Sequence, residues 1–134
     1  MYVGDDSDVR TGGCLCEGVR YRLTGPCRTI INCFCGQCQK TTGHHFAATR
    51  VKDTQFELLN DQTLTWYQSS ESAKRGFCNR CGGNLFWKPT GADTISVTAG
   101  SIDNPTGLVT TDNIFVEDMS DYHDLPVLRE SVDD

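Results

Sequence analysis

The sequence of 134 residues lacks several features that would place it in common classes of protein. No apolar run approaches the roughly 20 residues that a membrane-spanning helix requires. The first residues do not resemble a secretory signal, because Met1 to Gly4 lead directly into the acidic segment "DDSD". There is no internal repeat and no low-complexity linker. We therefore expect one soluble domain of a reducing compartment, the cytoplasm, without a membrane partner.

A concentrated basic stripe, which is typical of nucleic-acid-binding proteins, is also missing. The formal net charge is −6, with the acidic residues concentrated in residues 1–10 and 112–134, whereas residues 11–111 carry a net charge of +3. We expect no nucleic-acid partner. The positive middle of the chain is compatible with a small anionic ligand, and the acidic ends are explained by solubility.

Long helical patterns are absent too, since no segment sustains a helical period for three turns. Short alternating runs between turn residues instead predict a mainly β fold. The predicted strands lie in "GVRYRLTG", "TIIN", "HHFAATRV", "TQFELL", "TLTWYQSS", "NLFWKP", "TISVTAGSID" and "NIFVED", and "SDYHDLPVLRE" could include a helical turn. We divide the chain into a flexible N-terminal lead (1–10), a metal-binding domain (11–126) and an acidic C-terminal tail (127–134).

Cysteine is the residue type that the chain has in excess, with eight in all. Seven of them form tight groups of the types C-x-C, C-x-C-x-x-C and C-x-x-C. In a chain without an export signal such groups favour metal binding over disulfides. Cysteines two positions apart also rarely reach good disulfide geometry.

The first and last cysteine groups complement each other. Cys78 and Cys81 lie in "FCNRCGGN", where glycines after the pair allow a tight turn that directs backbone N–H groups at the sulfurs. Because two ligands do not complete a tetrahedral zinc site, we pair them with Cys14 and Cys16 of "GGCLCEG". This pairing predicts a structural zinc site that joins the start of the domain to its middle. Four free thiols are the disfavoured alternative.

The middle group, Cys33, Cys35 and Cys38 in "CFCGQC", leaves one side of a tetrahedral metal ion open. Catalytic zinc sites have this arrangement, with water or substrate in the fourth position. The site would instead be closed and structural if another protein ligand took that position. The local candidates are Cys27, His44 and His45.

The opposite pairing of the groups is also conceivable. Cys14 and Cys16 could join two cysteines of the middle group and leave Cys78 and Cys81 as a redox pair. No helix is predicted after this C-x-x-C pair, however, as it would be in a thioredoxin-like protein.

Five motifs carry a resemblance to a known family: "GGCLCEGVRYRL", "CFCGQCQKTTG", "FCNRCGGNLFW", "VTAGSID" and "NIFVEDMSDYHDLP", in this order. Together they resemble the glutathione-dependent formaldehyde-activating enzyme family, which also includes centromere protein V, over about residues 11–126. The resemblance implies a β-tent fold of short antiparallel strands with metal knuckles and two zinc ions per chain. It implies a structural zinc on Cys14, Cys16, Cys78 and Cys81, and a catalytic zinc on Cys33, Cys35 and Cys38.

The activity implied by the resemblance is that of a carbon–sulfur lyase. Such an enzyme reversibly joins glutathione, or a related thiol, to formaldehyde or another small aldehyde, giving an S-hydroxymethyl adduct. Lys40, Arg50 and Arg75 are candidates to meet the carboxylates of glutathione. The chain departs from the family pattern at Asn113, where members often carry histidine, and at Cys27, which has no role in that pattern. The alternative function is a non-catalytic two-zinc binding module that retains the fold.

Overall fold

The computed structural model describes residues 1–129 and confirms a mainly β fold of short strands. The twelve strands of the described residues are β1 (Tyr2–Val3), β2 (Val9–Gly13), β3 (Arg20–Thr24), β4 (Cys27–Arg28), β5 (Ile30–Cys33), β6 (Phe46–Lys52), β7 (Phe56–Asn60), β8 (Leu64–Ser70), β9 (Ala73–Cys78), β10 (Asn84–Pro89), β11 (Thr94–Thr98) and β12 (Thr110–Ile114). Helix α1 spans Gly36–Thr42, and 3₁₀ turns occupy Asp53–Gln55, Ala99–Ser101 and Val116–Asp118. No helix within residues 1–129 has the length and apolar character needed to cross a membrane.

The strands form three sheets. The largest has the order β12-β5-β6-β11-β10-β9-β8, the second has the order β2-β3-β7, and β1 pairs with β4. All pairs of neighbouring strands are antiparallel except β5 and β12, which are parallel. This parallel pair places Ile114 opposite Cys33, so the last strand lies beside the start of the middle cysteine group.

The main core contains side chains of both larger sheets. Tyr21 of β3 packs against Phe56 of β7 and Phe86 of β10, with ring centroids 6.1 and 5.5 Å apart. The hydroxyl of Tyr21 lies 2.6 Å from that of Ser101, so its polar end has a hydrogen-bond partner. Gly76 of β9 allows this packing, because a Cβ there would lie 3.0 Å from the rings of both Phe86 and Trp66.

The seven-stranded sheet has a core face and a cavity face. Val51 of β6 and Ile95 of β11 belong to the main core, whereas Ala48, Arg50 and Ser96 of the same two strands line a cavity. The cause is the two-residue period of a strand, which directs successive side chains to opposite faces. A single set of strands therefore supplies both the core and the wall of the cavity.

The predicted N-terminal lead takes part in two of the sheets. Tyr2 of β1 lies opposite Arg28 of β4, and β2 begins at Val9. The acidic composition of this segment does not reveal these pairings, because the partner strands lie further along the chain. The division into lead, domain and tail stays a prediction, and residues 130–134 of the predicted tail lie outside the described residues.

Helix α1 is not predicted by the sequence pattern, because seven residues are too few to show a helical period. Cys35 is its N-cap, and Gly43 ends it with φ 84° and an N–H group that donates to Gln39 O. The segment "SDYHDLPVLRE" contains a turn but no helix in its described part.

Candidate metal centres

The Sγ atoms of Cys14, Cys16, Cys78 and Cys81 lie within 4.8 Å of one another, and we call this group the four-cysteine cluster. The sulfur of Cys16 lies 3.7 Å from that of Cys14 and 3.5 Å from that of Cys78. Tetrahedral zinc with Zn–S bonds of about 2.3 Å requires S···S distances of about 3.8 Å. The cluster therefore fits a four-coordinate zinc ion.

Hydrogen-bond donors surround the sulfur of Cys78. The backbone N–H groups of Arg80 and Cys81 donate to it, each over 3.3 Å, and the hydroxyl of Thr63 lies 3.1 Å away. Burial raises the pKa of Cys78, but these hydrogen bonds outweigh burial and lower it to about 5. Gly82 follows in the left-handed region at φ 78°, which turns the chain at the end of the cysteine pair. The local sequence thus forms a pre-organised thiolate ligand.

The outer side of the four-cysteine cluster carries a positive charge. Arg80 is exposed, and its Nε donates to Cys16 Sγ over 3.3 Å. The backbone N–H of Gly18 and this arginine lower the pKa of Cys16. Four thiolates around Zn²⁺ would have a net charge of −2, which the guanidinium would partly offset. Cys14 and Cys78 belong to the main core, so this centre is part of the packed interior.

The Sγ atoms of Cys33, Cys35 and Cys38 also lie within 4.8 Å of one another and form the three-cysteine cluster. Cys33 is the last residue of β5, Cys35 caps α1, and Cys38 lies in its first turn. The N–H of Cys38 donates to Cys35 Sγ over 3.3 Å. A hydrogen bond between the Cys33 and Cys38 thiols lowers the pKa of Cys33 and raises that of Cys38. Because helix α1 begins directly after the end of β5, the three sulfurs lie close together. Their arrangement fits one side of a zinc ion.

No fourth cysteine, histidine or carboxylate completes this cluster within residues 1–129. Cys27 is fully buried in the main core instead. His45 packs against Phe34, with ring centroids 5.0 Å apart, and against His44 at 4.5 Å. The three local candidates for a fourth ligand therefore lie elsewhere.

A cavity of about 420 Å³ lies beside the three-cysteine cluster, within the size range of small-molecule sites. Its wall is mostly apolar, with Phe46 and Trp87 as large side chains, and all three cysteines of the cluster line it. None of its described lining residues is an aspartate, glutamate or histidine. Its charged side chains are three arginines, namely Arg28, Arg50 and Arg75.

Arg75 connects the cavity to the three-cysteine cluster. It is only 8% exposed, its Nη2 donates to Cys38 Sγ over 3.4 Å, and its Nε donates to Gln37 Oε1 over 2.8 Å. The guanidinium also lies 5.3 Å from the ring centre of Phe46. This buried cation offsets negative charge on the thiolates, and its contacts hold it in one orientation.

The structure brings together the same two groups of cysteines that the sequence predicts, and both could hold a metal ion. The opposite pairing, with Cys78 and Cys81 as a separate redox pair, does not form. Arg50 and Arg75 line the cavity as predicted candidates, whereas Lys40 does not. Sequence reasoning missed Arg28, because no motif surrounds it and its place in the cavity depends on the pairing of the sheets.

Comparisons with known proteins agree with this arrangement. A family model described as "glutathione-dependent formaldehyde-activating enzyme" matches residues 9–118, which include both clusters. Among solved structures, the crystal structure of a Rhodobacter sphaeroides protein is similar, with a TM-score of 0.57 and 19% sequence identity. The match covers 70% of this chain and 88% of that chain, and it supports the fold.

Proposed function

The chain belongs to the family of glutathione-dependent formaldehyde-activating enzymes, and on this basis we propose that it is a zinc-dependent carbon–sulfur lyase. In the proposed reaction, the sulfur of glutathione or a related thiol adds to the carbonyl carbon of formaldehyde or another small aldehyde. A carbon–sulfur bond forms, the carbonyl π bond breaks, and the thiol proton is transferred to the carbonyl oxygen. The product is an S-hydroxymethyl adduct, and the reverse reaction releases both reactants.

One observation supports this function above the others: the three-cysteine cluster has no fourth protein ligand in the described residues and lines a cavity of small-molecule size. A closed metal site would leave no position for a substrate atom. Open coordination beside a cavity is instead the arrangement of catalytic zinc sites. The same observation makes the non-catalytic binding module the less favoured alternative.

In this proposal each chain holds two zinc ions, a structural ion in the four-cysteine cluster and a catalytic ion in the three-cysteine cluster. The catalytic ion would supply a positive centre that favours the thiolate form of a bound thiol at neutral pH. Cys33, Cys35 and Cys38 would hold that ion at the cavity wall. Arg75 would keep Cys38 in place and balance the charge of the three thiolates.

Apart from the three cysteines that would hold the metal ion, the described wall of the cavity lacks the side chains that usually act as general acids or bases. We therefore assign proton transfer to the carbonyl oxygen to solvent that enters through the mouth of the cavity. The apolar side chains, including Trp87 and Phe46, would limit this solvent and position the aldehyde.

The test combines metal content with activity. Elemental analysis of protein purified without chelator should give two zinc ions per chain. Because glutathione and formaldehyde also combine without a catalyst, exchange between free and adduct forms should be followed by ¹³C NMR against a protein-free control. We expect the protein to accelerate this exchange.

Cys35→Ser should lose one zinc ion and about 100-fold or more of the acceleration, while its thermal unfolding stays close to that of the wild type. Cys27→Ala is the matched control, because Cys27 belongs to neither cluster. Unchanged activity in Cys35→Ser would contradict the assignment. A two-zinc protein that accelerates no thiol–aldehyde reaction would instead be the binding module.

A further inference from the structure

The cavity wall carries two arginines that contact no carboxylate in the described part of the chain. Arg28 comes from β4 and Arg50 from β6, and we call them the arginine pair. Neither forms a salt bridge within residues 1–129, where the ion pairs involve other cations. No described carboxylate lines the cavity.

Neutral groups hold Arg28 in place. The Nε of Arg28 donates to Thr29 O over 3.2 Å, and its Nη2 donates to Ala48 O over 3.0 Å. The hydroxyl of Thr49 donates to Arg28 O over 2.6 Å, which fixes Arg28 next to the strand that carries Arg50. These acceptors orient the guanidinium without supplying a counter-charge.

Electrostatics at the pair favour an incoming anion. Burial lowers the pKa of Arg28 to about 10, and the nearby charge of Arg50 acts in the same direction. Tyr2 and Asp112 act against this shift but do not cancel it. Two cations that repel each other in a partly buried place are stabilised by a bound anion. Arg75 differs, because its N–H groups already contact Cys38 and Gln37.

Strand register gives the distance between the pair and the three-cysteine cluster. Phe46 lies opposite Cys33, and Ala48 lies opposite Ile31. Since a strand rises by about 3.3 Å per residue, the Ala48 carbonyl that holds Arg28 lies about 7 Å beyond Phe46, and Arg50 lies about 13 Å beyond it. Ile31 and Ala48 form an apolar stretch of wall in between.

We propose that Arg28 and Arg50 together bind a carboxylate of the thiol substrate. Its sulfur would face the three-cysteine cluster and its carboxylate would contact the arginine pair. A planar guanidinium can donate two parallel N–H···O bonds to a carboxylate, which makes arginine well suited to this role. The position of the sulfur rests on the proposed function, and the carboxylate subsite rests on the pair itself.

The test uses S-methylglutathione, which has the carboxylates of glutathione but no free thiol, and two derivatives in which each carboxylate is esterified in turn. Their dissociation constants for the zinc-loaded protein are measured by calorimetry. We expect one of the two esters to bind about tenfold more weakly than the acid, because a charge-assisted hydrogen bond is lost.

Arg50→Gln should remove this preference, so that the acid and the ester bind within about twofold of each other, with zinc content unchanged. Arg22→Gln is the matched control: Arg22 pairs with Glu57 and does not line the cavity, so this variant should keep the preference. Arg28→Gln should act in the same direction as Arg50→Gln.

Three outcomes would overturn the inference: no binding of S-methylglutathione, equal binding of the acid and both esters, or a preference that survives in Arg50→Gln. The binding measurement needs no turnover, so it separates the two proposals. A protein that prefers the acid through Arg50 but accelerates no adduct formation would refute the lyase function alone. An active protein without that preference would refute the carboxylate subsite alone.

Discussion

The two cysteine clusters use the same ligand type but join different parts of the chain. In the four-cysteine cluster, Cys16 contacts Cys78 across 62 residues of sequence, so a metal ion there would close a long loop. In the three-cysteine cluster, Cys33 to Cys38 belong to one short segment. Closing a long loop removes conformational freedom from the unfolded chain, whereas a short segment gains little. We therefore expect the first cluster to serve the stability of the fold and the second to serve the cavity.

The clusters also differ in what faces their sulfurs. The four-cysteine cluster lies against the main core, and its charge is offset by an exposed arginine, Arg80. The three-cysteine cluster faces a cavity, and its charge is offset by a buried arginine, Arg75. Similar cysteine spacings thus give a closed or an open site according to whether a second pair of ligands is present.

The largest expected effect is a loss of stability on substitution of a ligand in the four-cysteine cluster. Cys78→Ala should reduce the free energy of unfolding by about 5 kcal/mol or more, because structural zinc contributes on the order of 10 kcal/mol to small domains. Circular dichroism melts and zinc analysis check this result. Cys27→Ala removes a buried thiol without touching either cluster and should cost far less. Similar melting temperatures for the two variants would refute a structural role for the cluster.

Metal removal should distinguish the clusters in a single experiment. Titration with a chromogenic chelator should release zinc in two phases, because a closed and buried centre loses its ion more slowly than one beside a cavity. The first phase should leave the far-ultraviolet circular dichroism unchanged, and the second should accompany unfolding. Release in one phase together with unfolding would show that the clusters do not differ in this way.

A smaller effect is expected from the two arginines that contact cysteine sulfurs. Arg75→Gln should weaken zinc binding at the three-cysteine cluster by about tenfold, since loss of outer-shell partners costs 10- to 100-fold. Arg80→Gln should change zinc binding at the four-cysteine cluster by about twofold or less, because an exposed charge is screened by water. Chelator competition measures both affinities. Equal losses of zinc affinity in the two variants would contradict this prediction. They would show that a buried arginine supports its cluster no more than an exposed arginine does.

The smallest expected effect concerns an exposed ion pair outside both clusters. Arg20 lies 2.7 Å from Asp103, and hydrogen bonds from Arg20 and Thr11 lower the pKa of Asp103 to about 2. A lowered carboxyl pKa stabilises the fold above the ordinary carboxyl pKa, and that contribution is lost only as pH falls toward 2. Asp103→Asn should therefore cost about 0.5 kcal/mol at pH 7 and the same at pH 5.

Urea unfolding at these two pH values measures the difference between Asp103→Asn and the wild type. A difference that disappears by pH 5 would show that Asp103 titrates in its ordinary range. A constant difference would confirm that the pKa of Asp103 lies below its ordinary range.

Each group of cysteines could be predicted from the sequence because its members are neighbours along the chain. Cys33, Cys35 and Cys38 are close in space because they are close in sequence, and Cys78 and Cys81 lie in a turn that their glycines make possible. The strand that contains Tyr21 was predicted for a similar reason, since its alternation is visible in the residues themselves. Local pattern was therefore sufficient for the mainly β fold and for the three-cysteine cluster. The four-cysteine cluster also required the argument that two pairs of ligands complete a tetrahedral site.

The arginine pair and the N-terminal pairing could not be predicted, because they depend on contacts between distant segments. Arg28 reaches the cavity only because β4 lies beside β6, and Tyr2 becomes part of a strand only because Arg28 lies opposite. Helix α1 was missed for another reason: its seven residues include Thr41 and Thr42, which have low helix propensity. Its start depends on the cap at Cys35 rather than on a periodic pattern.

In the large sheet, the same strands face the core on one side and the cavity on the other, which limits the mutations that these strands can accept. In β6 and β11, Ala48, Arg50 and Ser96 contact the cavity, while Val51 and Ile95 maintain the core. Substitutions confined to the first set would change the wall of the cavity while leaving the main-core contacts of Val51 and Ile95 in place. An insertion of one residue in either strand would exchange the two sets and damage both properties at once. Substitution rather than insertion is thus the change that can alter the cavity wall and still keep the core in register.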